Sequence, residues 1–241
     1  MNDNIFVALR PYNGDKENGV PIDLHMIFTE EFNPKKPMEP TYRTQWLSYN
    51  PKRNGTPVPD ELKLPSELFL VCKGERKLSF DFFTQNRGEW LVSSEFLDFI
   101  KDNNLLKGKY EISKLTVLST NGKPITKKQY FLIRIFQYSN DLIDWEKTPT
   151  VDACEKPINY DFYPSICFKE NVKVTEMLFI DKIVFKHSFL VNERTKAMIE
   201  NQKFIGFDFY TLSEFIEESK NRRAPFKPPY TAYKPVLLKY L

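Results

Sequence analysis

Apolar and polar positions follow the same order in two stretches of the chain, residues 91–108 and 190–206. One constant offset aligns the two stretches until the second loses a residue just before its glycine. Each stretch predicts the end of a strand, a capping residue (Ser93 or Asn192), a short helix, a glycine turn and a new strand. A scaffold repeated without any repeated reactive residue indicates a surface for binding rather than a pocket for catalysis.

Strand-like runs surround both stretches. Asn121 and Gly122 predict a tight hairpin, and residues 212–219 predict one more helix or turn. The sequence therefore predicts an α+β protein, with two related sheet-plus-helix units packed as one globular body. Alternation and β-favouring residues predict strands at residues 5–9, 24–28, 68–72, 78–82, 130–136, 172–174, 177–180, 183–185 and 207–210.

Proline and charge divide the chain into five segments. Residues 1–66 are rich in proline and predict an irregular N-terminal layer wrapped on the core. Residues 67–140 are the first predicted unit, residues 141–165 an acidic connector, and residues 166–219 the second unit. Residues 220–241 are a basic tail with interleaved aromatics and prolines, which can dock on its own domain or on a partner.

The composition is that of a soluble globular protein. The 241 residues have 28% charged and 15% aromatic side chains, and a net charge of only +3 is too weak to indicate nucleic acid by itself. No apolar run has the length of a membrane span, and the first residues lack a secretion signal. We therefore expect a cytoplasmic protein with no membrane partner.

No residues have the spacing of a catalytic, metal or cofactor site. Dinucleotide, P-loop, HExxH, GxSxG, kinase and EF-hand patterns are missing from the sequence. Cys72, Cys154 and Cys167 are scattered, which argues against a disulfide framework and a zinc site, and neither His25 nor His187 pairs with a cysteine by spacing. We predict a non-enzymatic protein without a cofactor or metal; an enzyme of unknown type is the third hypothesis.

The second repeated stretch carries a family resemblance. Residues 183–194 present a strand followed by a helix start of valine, asparagine and glutamate, and residues 204–209 end in a glycine, aromatic, acid and phenylalanine run. This pattern resembles the loosely related immunity-protein families of bacterial polymorphic toxin systems, first catalogued as domains of unknown function. The resemblance is firmest over residues 177–212, is weaker over residues 68–136, and does not cover the N-terminal segment or the tail.

The resemblance implies a cytoplasmic antidote that binds and blocks a cognate toxin delivered by neighbouring cells, often through contact-dependent or type VI secretion. The predicted function is a non-enzymatic immunity protein that occludes the active site of its toxin through a large protein–protein interface. The resemblance carries over no toxin-contacting residue. The slight positive charge also departs from the acidic balance common among immunity proteins.

The candidate partner-binding residues lie in the acidic connector: Asp141, Asp144, Trp145, Glu146 and Asp152. Loops vary without disturbing a core, and an aromatic anchor rimmed by acids both holds and steers a basic partner. A solvated connector with Trp145 turned inwards is the alternative that the sequence leaves open. The oligomeric state and the chemistry of the toxin stay open as well.

A nucleic-acid-associated module is the alternative function. The basic tail combines lysine and arginine with phenylalanine and tyrosine, which suits phosphate contacts and base stacking. The same residue types dominate protein interfaces, and with an overall charge near neutral we rank nucleic acid well below protein. Salt separates the two, because phosphate binding weakens steeply as salt rises.

Overall fold

The computed structural model describes most of the chain, in ten stretches. Within these residues the chain forms a six-stranded sheet, a three-stranded sheet, a two-stranded ribbon and three α-helices. The elements pack as one globular body, so the predicted α+β class is confirmed. The described residues are 4–11, 13–22, 24–36, 45–50, 56–84, 89–107, 110–152, 161–175, 177–180 and 189–223.

The secondary structure has the following bounds. The strands are β1 (Ile5–Leu9), β2 (Met26–Thr29), β3 (Glu67–Cys72), β4 (Phe82–Thr84), β5 (Glu89–Ser93), β6 (Tyr110–Ser119), β7 (Tyr130–Ile135), β8 (Val151–Asp152), β9 (Asp161–Phe162), β10 (Phe189–Asn192) and β11 (Asp208–Thr211). The helices are α1 (Ser94–Asp102), α2 (Glu193–Asn201) and α3 (Leu212–Arg223). Short 3-10 helices lie at Gln45–Ser48, Asp60–Leu62 and Asn140–Leu142.

The larger sheet has its six strands in the order β2-β3-β6-β7-β5-β4. β3 and β6 run parallel, and every other neighbouring pair is antiparallel. Successive side chains of a strand point to opposite faces. Trp90 and Val92 of β5 therefore enter one hydrophobic core, whereas Leu91 between them enters another. The centre of this sheet is buried on both sides.

The smaller sheet has the order β10-β1-β11, and both pairs are antiparallel. β1 comes from the proline-rich N-terminal segment, yet it is the central strand between two strands of the C-terminal half. Val7 and Ala8 of β1 are fully buried. Ala8 belongs to the core shared with the six-stranded sheet, and Val7 belongs to a separate core beneath α3. The continuous apolar run at residues 5–9 therefore reflects burial on both faces.

Aromatic rings join the two sheets. The ring of Phe82 lies 5.2 Å from Trp90, 5.3 Å from Phe189 and 4.8 Å from Phe207, measured between centroids. Phe96 of α1 adds a contact to Phe207 at 4.9 Å. Each such pair contributes about 0.5–1.5 kcal/mol beyond its buried area. The many phenylalanine side chains of the sequence thus provide the contact between the two sheets.

A buried carboxylate fixes the same junction through polar contacts. Asp81 accepts hydrogen bonds from the Ser93 hydroxyl (2.6 Å), from Lys128 Nζ (2.5 Å) and from the Ile205 backbone N–H (2.9 Å). The backbone N–H of Asp81 donates in return to the Ile205 carbonyl at 2.7 Å. Gly206 lies against this contact with a φ of +113°, and a Cβ there would meet the Phe82 carbonyl oxygen at 2.1 Å. Only glycine fits this position without displacing the backbone.

The two repeated stretches share their backbone course. Ser93 caps α1 by accepting from Phe96 N–H at 3.2 Å, and Asn192 caps α2 by accepting from Thr195 N–H at 2.8 Å. The caps and helices predicted from the repeat are therefore confirmed. After each helix, the residue at the same place in the alignment, Asn104 or Lys203, takes a positive φ of 51° or 57°. The residues after the two helices thus share one left-handed position, while Gly108 of the first stretch lies outside the described residues.

Two predicted strand regions are wrong. At residues 78–82, only Phe82 belongs to a strand, because Leu78 N–H donates to the Ile125 carbonyl and the Phe80 carbonyl accepts from the Tyr130 hydroxyl. Residues 172–174 and 177–180 form no ladder, and Leu178 makes only an isolated bridge to Leu190. Backbone groups in both regions find scattered partners instead of one neighbouring strand. The predicted strand at residues 183–185 lies outside the described residues.

Candidate partner-binding surface

The acidic connector starts as a loop tied down by backbone hydrogen bonds. Ser139 N–H donates to the Phe179 carbonyl at 2.6 Å, and Asp144 N–H donates to the Cys167 carbonyl at 2.9 Å. Ile143 also forms a bridge with Phe168. Residues on both sides of the 3-10 helix Asn140–Leu142 are therefore held against the body of the protein, which gives the loop a defined surface.

Asp144 organises the turn that follows. Its carboxylate contacts Lys147 Nζ at 3.1 Å and accepts from Lys147 N–H at 3.3 Å, and the hydrogen bond from the Lys147 side chain is the main cause that lowers the pKa of Asp144. The Asp144 carbonyl accepts from the Thr148 hydroxyl at 2.7 Å, and that hydroxyl in turn accepts from Cys167 N–H at 3.2 Å. Much of the hydrogen-bonding capacity of Asp144 is spent inside the turn.

Trp145 faces the protein. Its indole N–H donates to the Asn140 carbonyl at 3.1 Å, and its ring meets the ring of Tyr163 edge-on at 5.4 Å. The partly buried ring packs against the core beneath α3, which includes Ile143 and Ile166. This inward position is the alternative that the sequence left open. The tryptophan supports the loop from below.

Among the connector side chains that the structure describes, the exposed acids are Asp141 and Glu146, which stand on either side of Trp145 in the chain. Lys147 and Lys169 are exposed nearby, so the surface carries both signs of charge. Of the five candidate residues, four thus lie on one short, anchored loop. The fifth, Asp152, belongs to β8, and its side chain is outside the described residues.

A second surface is a groove between α2 and β11, which we call the α2–β11 groove. It has a volume of about 400 Å³. Phe207 and Phe209 stack in parallel at 5.9 Å, and Phe204 reaches under α1 to contact Phe96 at 5.1 Å. The alternation at residues 207–210 predicted the strand. It did not predict that helix α2 leaves the aromatic rings of Phe207 and Phe209 partly exposed. The lining residues are Ile199, Glu200, Phe204, Phe207, Asp208, Phe209 and Tyr210.

The described residues offer little catalytic chemistry. Among them, no group of three or more histidine, cysteine, aspartate or glutamate side chains is placed to hold a metal ion. Burial raises the pKa of the Cys72 thiol to about 12, so this cysteine is protonated at neutral pH and is a poor nucleophile. Cys167 donates to the Lys147 carbonyl at 3.2 Å, and His25 is exposed on the surface. Cys154 and His187 lie outside the described part of the chain.

The comparisons with known proteins concern the chain as a whole. The model of a protein family described as Immunity protein 43 matches residues 12–222. No curated protein matches the chain. Where the chain is described, no helix has the length and apolar character needed to cross a membrane. The resemblance to immunity proteins that the sequence suggested is confirmed, and the match extends well beyond residues 177–212.

Proposed function

Because the chain belongs to the Immunity protein 43 family, we propose that it binds a cognate secreted toxin and occludes the active site of that toxin. Immunity families generally act without catalysis, through contact with a toxin partner. The protein works by steric block and needs no cofactor for it. It acts in the cytoplasm, on a toxin delivered by a polymorphic system such as type VI secretion.

The acidic connector is the proposed contact surface. The observation that carries this assignment is the pairing of a fixed loop with two exposed carboxylates, Asp141 and Glu146. A preorganised loop loses less conformational entropy on binding than a mobile one. Carboxylates at the rim of an interface raise the association rate of a basic partner.

The five connector residues have different proposed roles. Asp141 and Glu146 steer and contact the toxin. Asp144 and Trp145 hold the loop in its binding shape, and Trp145 also offers its partly exposed edge to the interface. Asp152, in β8, is the fifth proposed contact residue. The assignment therefore separates residues whose loss changes affinity alone from residues whose loss also changes the loop.

The experiment uses the product of the gene beside this one, since an antidote is expected directly next to its toxin. The chain is co-produced with that protein, and survival of the host cells and affinity by calorimetry are measured. Asp141→Lys combined with Glu146→Lys should weaken binding by about tenfold or more, mainly through a slower association rate. The matched control is Glu17→Lys combined with Glu61→Lys, which reverses two exposed acids elsewhere.

An unchanged affinity in the connector variant would remove the connector from the interface. Loss of affinity in both variants would indicate a general charge effect instead of a site. If the wild-type chain neither binds the neighbouring protein nor protects the cells, the proposed toxin is wrong. Trp145→Ala adds a further check, because loss of affinity in a variant that keeps its unfolding midpoint would assign the ring to the interface itself.

A further inference from the structure

One end of the six-stranded sheet is formed by loops from separate parts of the chain. β3 and β6 run parallel with Cys72 opposite Ser119, so the loops that follow them, residues 73–79 and 119–128, leave the sheet at the same end. Leu78 N–H donates to the Ile125 carbonyl at 2.8 Å and joins these two loops. They therefore form one continuous surface.

The N-terminal segment completes this surface. The turn at residues 15–19 lies against the loop after β3, because the Ser79 hydroxyl donates to the Asn18 carbonyl at 2.7 Å. Pro34 packs against Gly122 of the loop after β6, where a Cβ on the glycine would meet Pro34 Cγ at 3.1 Å. Hydrogen bonds and close packing thus hold all of these loops in place.

The side chains that this surface presents to solvent are strongly basic. The three loops at residues 15–19, 73–79 and 119–128 carry six exposed bases. Within the described part of the chain, none of the six forms an ion pair or a side-chain hydrogen bond. We call this surface the basic sheet end, and its six bases are Lys16, Lys73, Arg76, Lys77, Lys123 and Lys127.

The acids of the same loops only partly balance this charge. They are Asp15, Glu17 and Glu75, and residues 119–128 contain no acid. Asp15 is also engaged locally, since it accepts hydrogen bonds from the Asn18 backbone N–H at 3.0 Å and from the Asn18 side chain at 2.6 Å. The whole chain has a net charge of +3, and the six bases and three acids of this surface alone give an excess as large.

Lysine chemistry indicates the kind of partner. Lysine supplies five of the six bases, and it is depleted in protein–protein interfaces, where aromatic residues and arginine dominate. The three loops contain no aromatic residue on which single-stranded bases could stack. Lysine contacts to phosphates supply most of the sequence-independent affinity for a nucleic-acid duplex. A duplex backbone therefore fits this surface best.

The basic sheet end lies far from the proposed toxin contact. β6 has ten residues and spans about 33 Å, and its last residue, Ser119, opens the basic loop. β7 returns antiparallel until Ile135 lies opposite Tyr110, the first residue of β6, and the acidic connector follows β7. The two surfaces thus belong to opposite ends of the sheet, and a toxin at the connector leaves the basic sheet end open.

We propose that the basic sheet end binds the phosphate backbone of double-stranded nucleic acid, without reading its base sequence. The lysines of the three loops contact phosphates of the duplex. Lys35 and Lys36, exposed beside Pro34, add two further cations at the border of the surface. This activity goes beyond the block of a toxin and does not depend on it.

Fluorescence anisotropy tests the proposal with the full chain and two labelled probes, a DNA duplex and an RNA duplex of about 20 base pairs each. If about four cations reach phosphates at once, the logarithm of the association constant for DNA should fall with the logarithm of salt concentration at a slope of about −3.6. Duplexes of unrelated sequence should bind equally, because phosphates carry no sequence information. Failure of both duplexes to bind at low salt would overturn the proposal.

Charge reversal within the surface gives the specific result. Lys77→Glu, Lys123→Glu and Lys127→Glu combined should weaken duplex binding about tenfold or more and bring the salt slope to about −1. The three side chains are exposed and form no ion pair with described residues, so the fold should be unaffected. The urea unfolding midpoint checks this. Arginine at the same three positions keeps the charge and should retain the binding.

The matched control reverses three exposed lysines elsewhere on the protein. Lys101→Glu, Lys169→Glu and Lys173→Glu change the net charge by the same amount, on α1 and on the segment beside the connector. This variant should keep most of its affinity for the duplex. Equal losses in the two glutamate variants would mean a general charge effect, which would contradict a site at the basic sheet end.

Other polyanions give their own results. Polyglutamate that binds as tightly as either duplex would assign the surface to acidic proteins. Vesicles of phosphatidylglycerol and phosphatidylcholine that bind more tightly than either duplex would assign it to an anionic membrane surface. Each of these results would contradict the proposal, and none of the measurements requires the toxin.

Discussion

The two strand–helix units of this protein follow the same backbone course, but their helices are buried to different extents. In α1, Phe96, Leu97, Phe99 and Ile100 are all buried, whereas in α2 only Thr195 and Ile199 are buried. α1 packs on the six-stranded sheet beneath the aromatic junction, and α2 lies further out on the three-stranded sheet. The same strand–cap–helix pattern thus forms a buried core helix in one unit and a surface helix in the other.

The caps of the two helices show the same difference. Ser93 caps α1 and donates to the buried carboxylate of Asp81, while Asn192 caps α2 and donates to the Val174 carbonyl at 2.7 Å. In each case the capping side chain also joins its helix to another segment. The cap of α1 is joined to the charged carboxylate of Asp81, and the cap of α2 is joined to the neutral backbone carbonyl of Val174.

The largest effect on the free energy of unfolding is expected at Phe96 and Thr195, which occupy the same position in the two aligned units. Phe96→Ala should lower the free energy of unfolding by about 3–5 kcal/mol, because it leaves a cavity in the aromatic junction. Thr195→Ala should cost about 1 kcal/mol, since it removes one buried hydroxyl. Urea unfolding followed by tryptophan fluorescence measures both. Equal losses would show that α2 is as deeply integrated as α1.

The capping residues should give the next largest effect. Ser93→Ala removes a helix cap and one partner of the buried Asp81, so we expect a loss of about 3 kcal/mol. Asn192→Ala removes a cap and a neutral hydrogen bond, and should cost about 1.5 kcal/mol. Denaturation midpoints of both variants are compared with wild type at neutral pH. A cost for Asn192→Ala that matches or exceeds that of Ser93→Ala would contradict the ranking.

The smallest effect concerns α3, which is capped by local sequence alone. Glu214 accepts hydrogen bonds from Thr211 N–H (2.8 Å) and the Thr211 hydroxyl (2.9 Å), and the backbone bond is the main cause that lowers the pKa of Glu214. A lowered pKa stabilises the fold above the ordinary glutamate value of 4.5. That contribution is lost as pH falls through the folded-state pKa.

Unfolding midpoints measured from pH 6 to pH 3 in wild type and Glu214→Gln test this. Wild type should lose slightly more stability on acidification than the variant, which cannot ionise. Glu95 near the start of α1 offers a control, because Glu95→Gln removes a first-turn acid without a comparable capping box. If the unfolding midpoints of wild type and Glu214→Gln fall in parallel as the pH is lowered, the capping box is excluded as a source of acid sensitivity.

Local patterns predicted much of this fold. Asn121 and Gly122 form only a local turn between Ser119 and Lys123, and the predicted tight hairpin into residues 130–136 is wrong, because ten residues separate β6 from β7. The repeat specified both N-caps and both nine-residue helices. These features depend on residues a few positions apart, which the sequence displays directly. The strands expected at residues 78–82, 172–174 and 177–180 failed because apolar residues there are buried by distant partners without joining a ladder.

The candidate surface divides in the same way. The acidic character of the connector and the exposed positions of Asp141 and Glu146 follow from charge in a loop. The direction of Trp145 does not follow from the sequence, because it depends on Asn140 and Tyr163 forming a site for the ring. The α2–β11 groove likewise requires knowing that α2 stops short of covering Phe207 and Phe209.

The sequence by itself determined the local units: the caps, the turns, the alternation of the strands and the separation of acidic from basic segments. The tertiary structure decided which unit is core and which is surface, and it placed β1 between two strands from the other end of the chain. The reason is physical. Caps and turns are satisfied by hydrogen bonds between near neighbours, whereas burial depends on surfaces that meet only when the whole chain has folded.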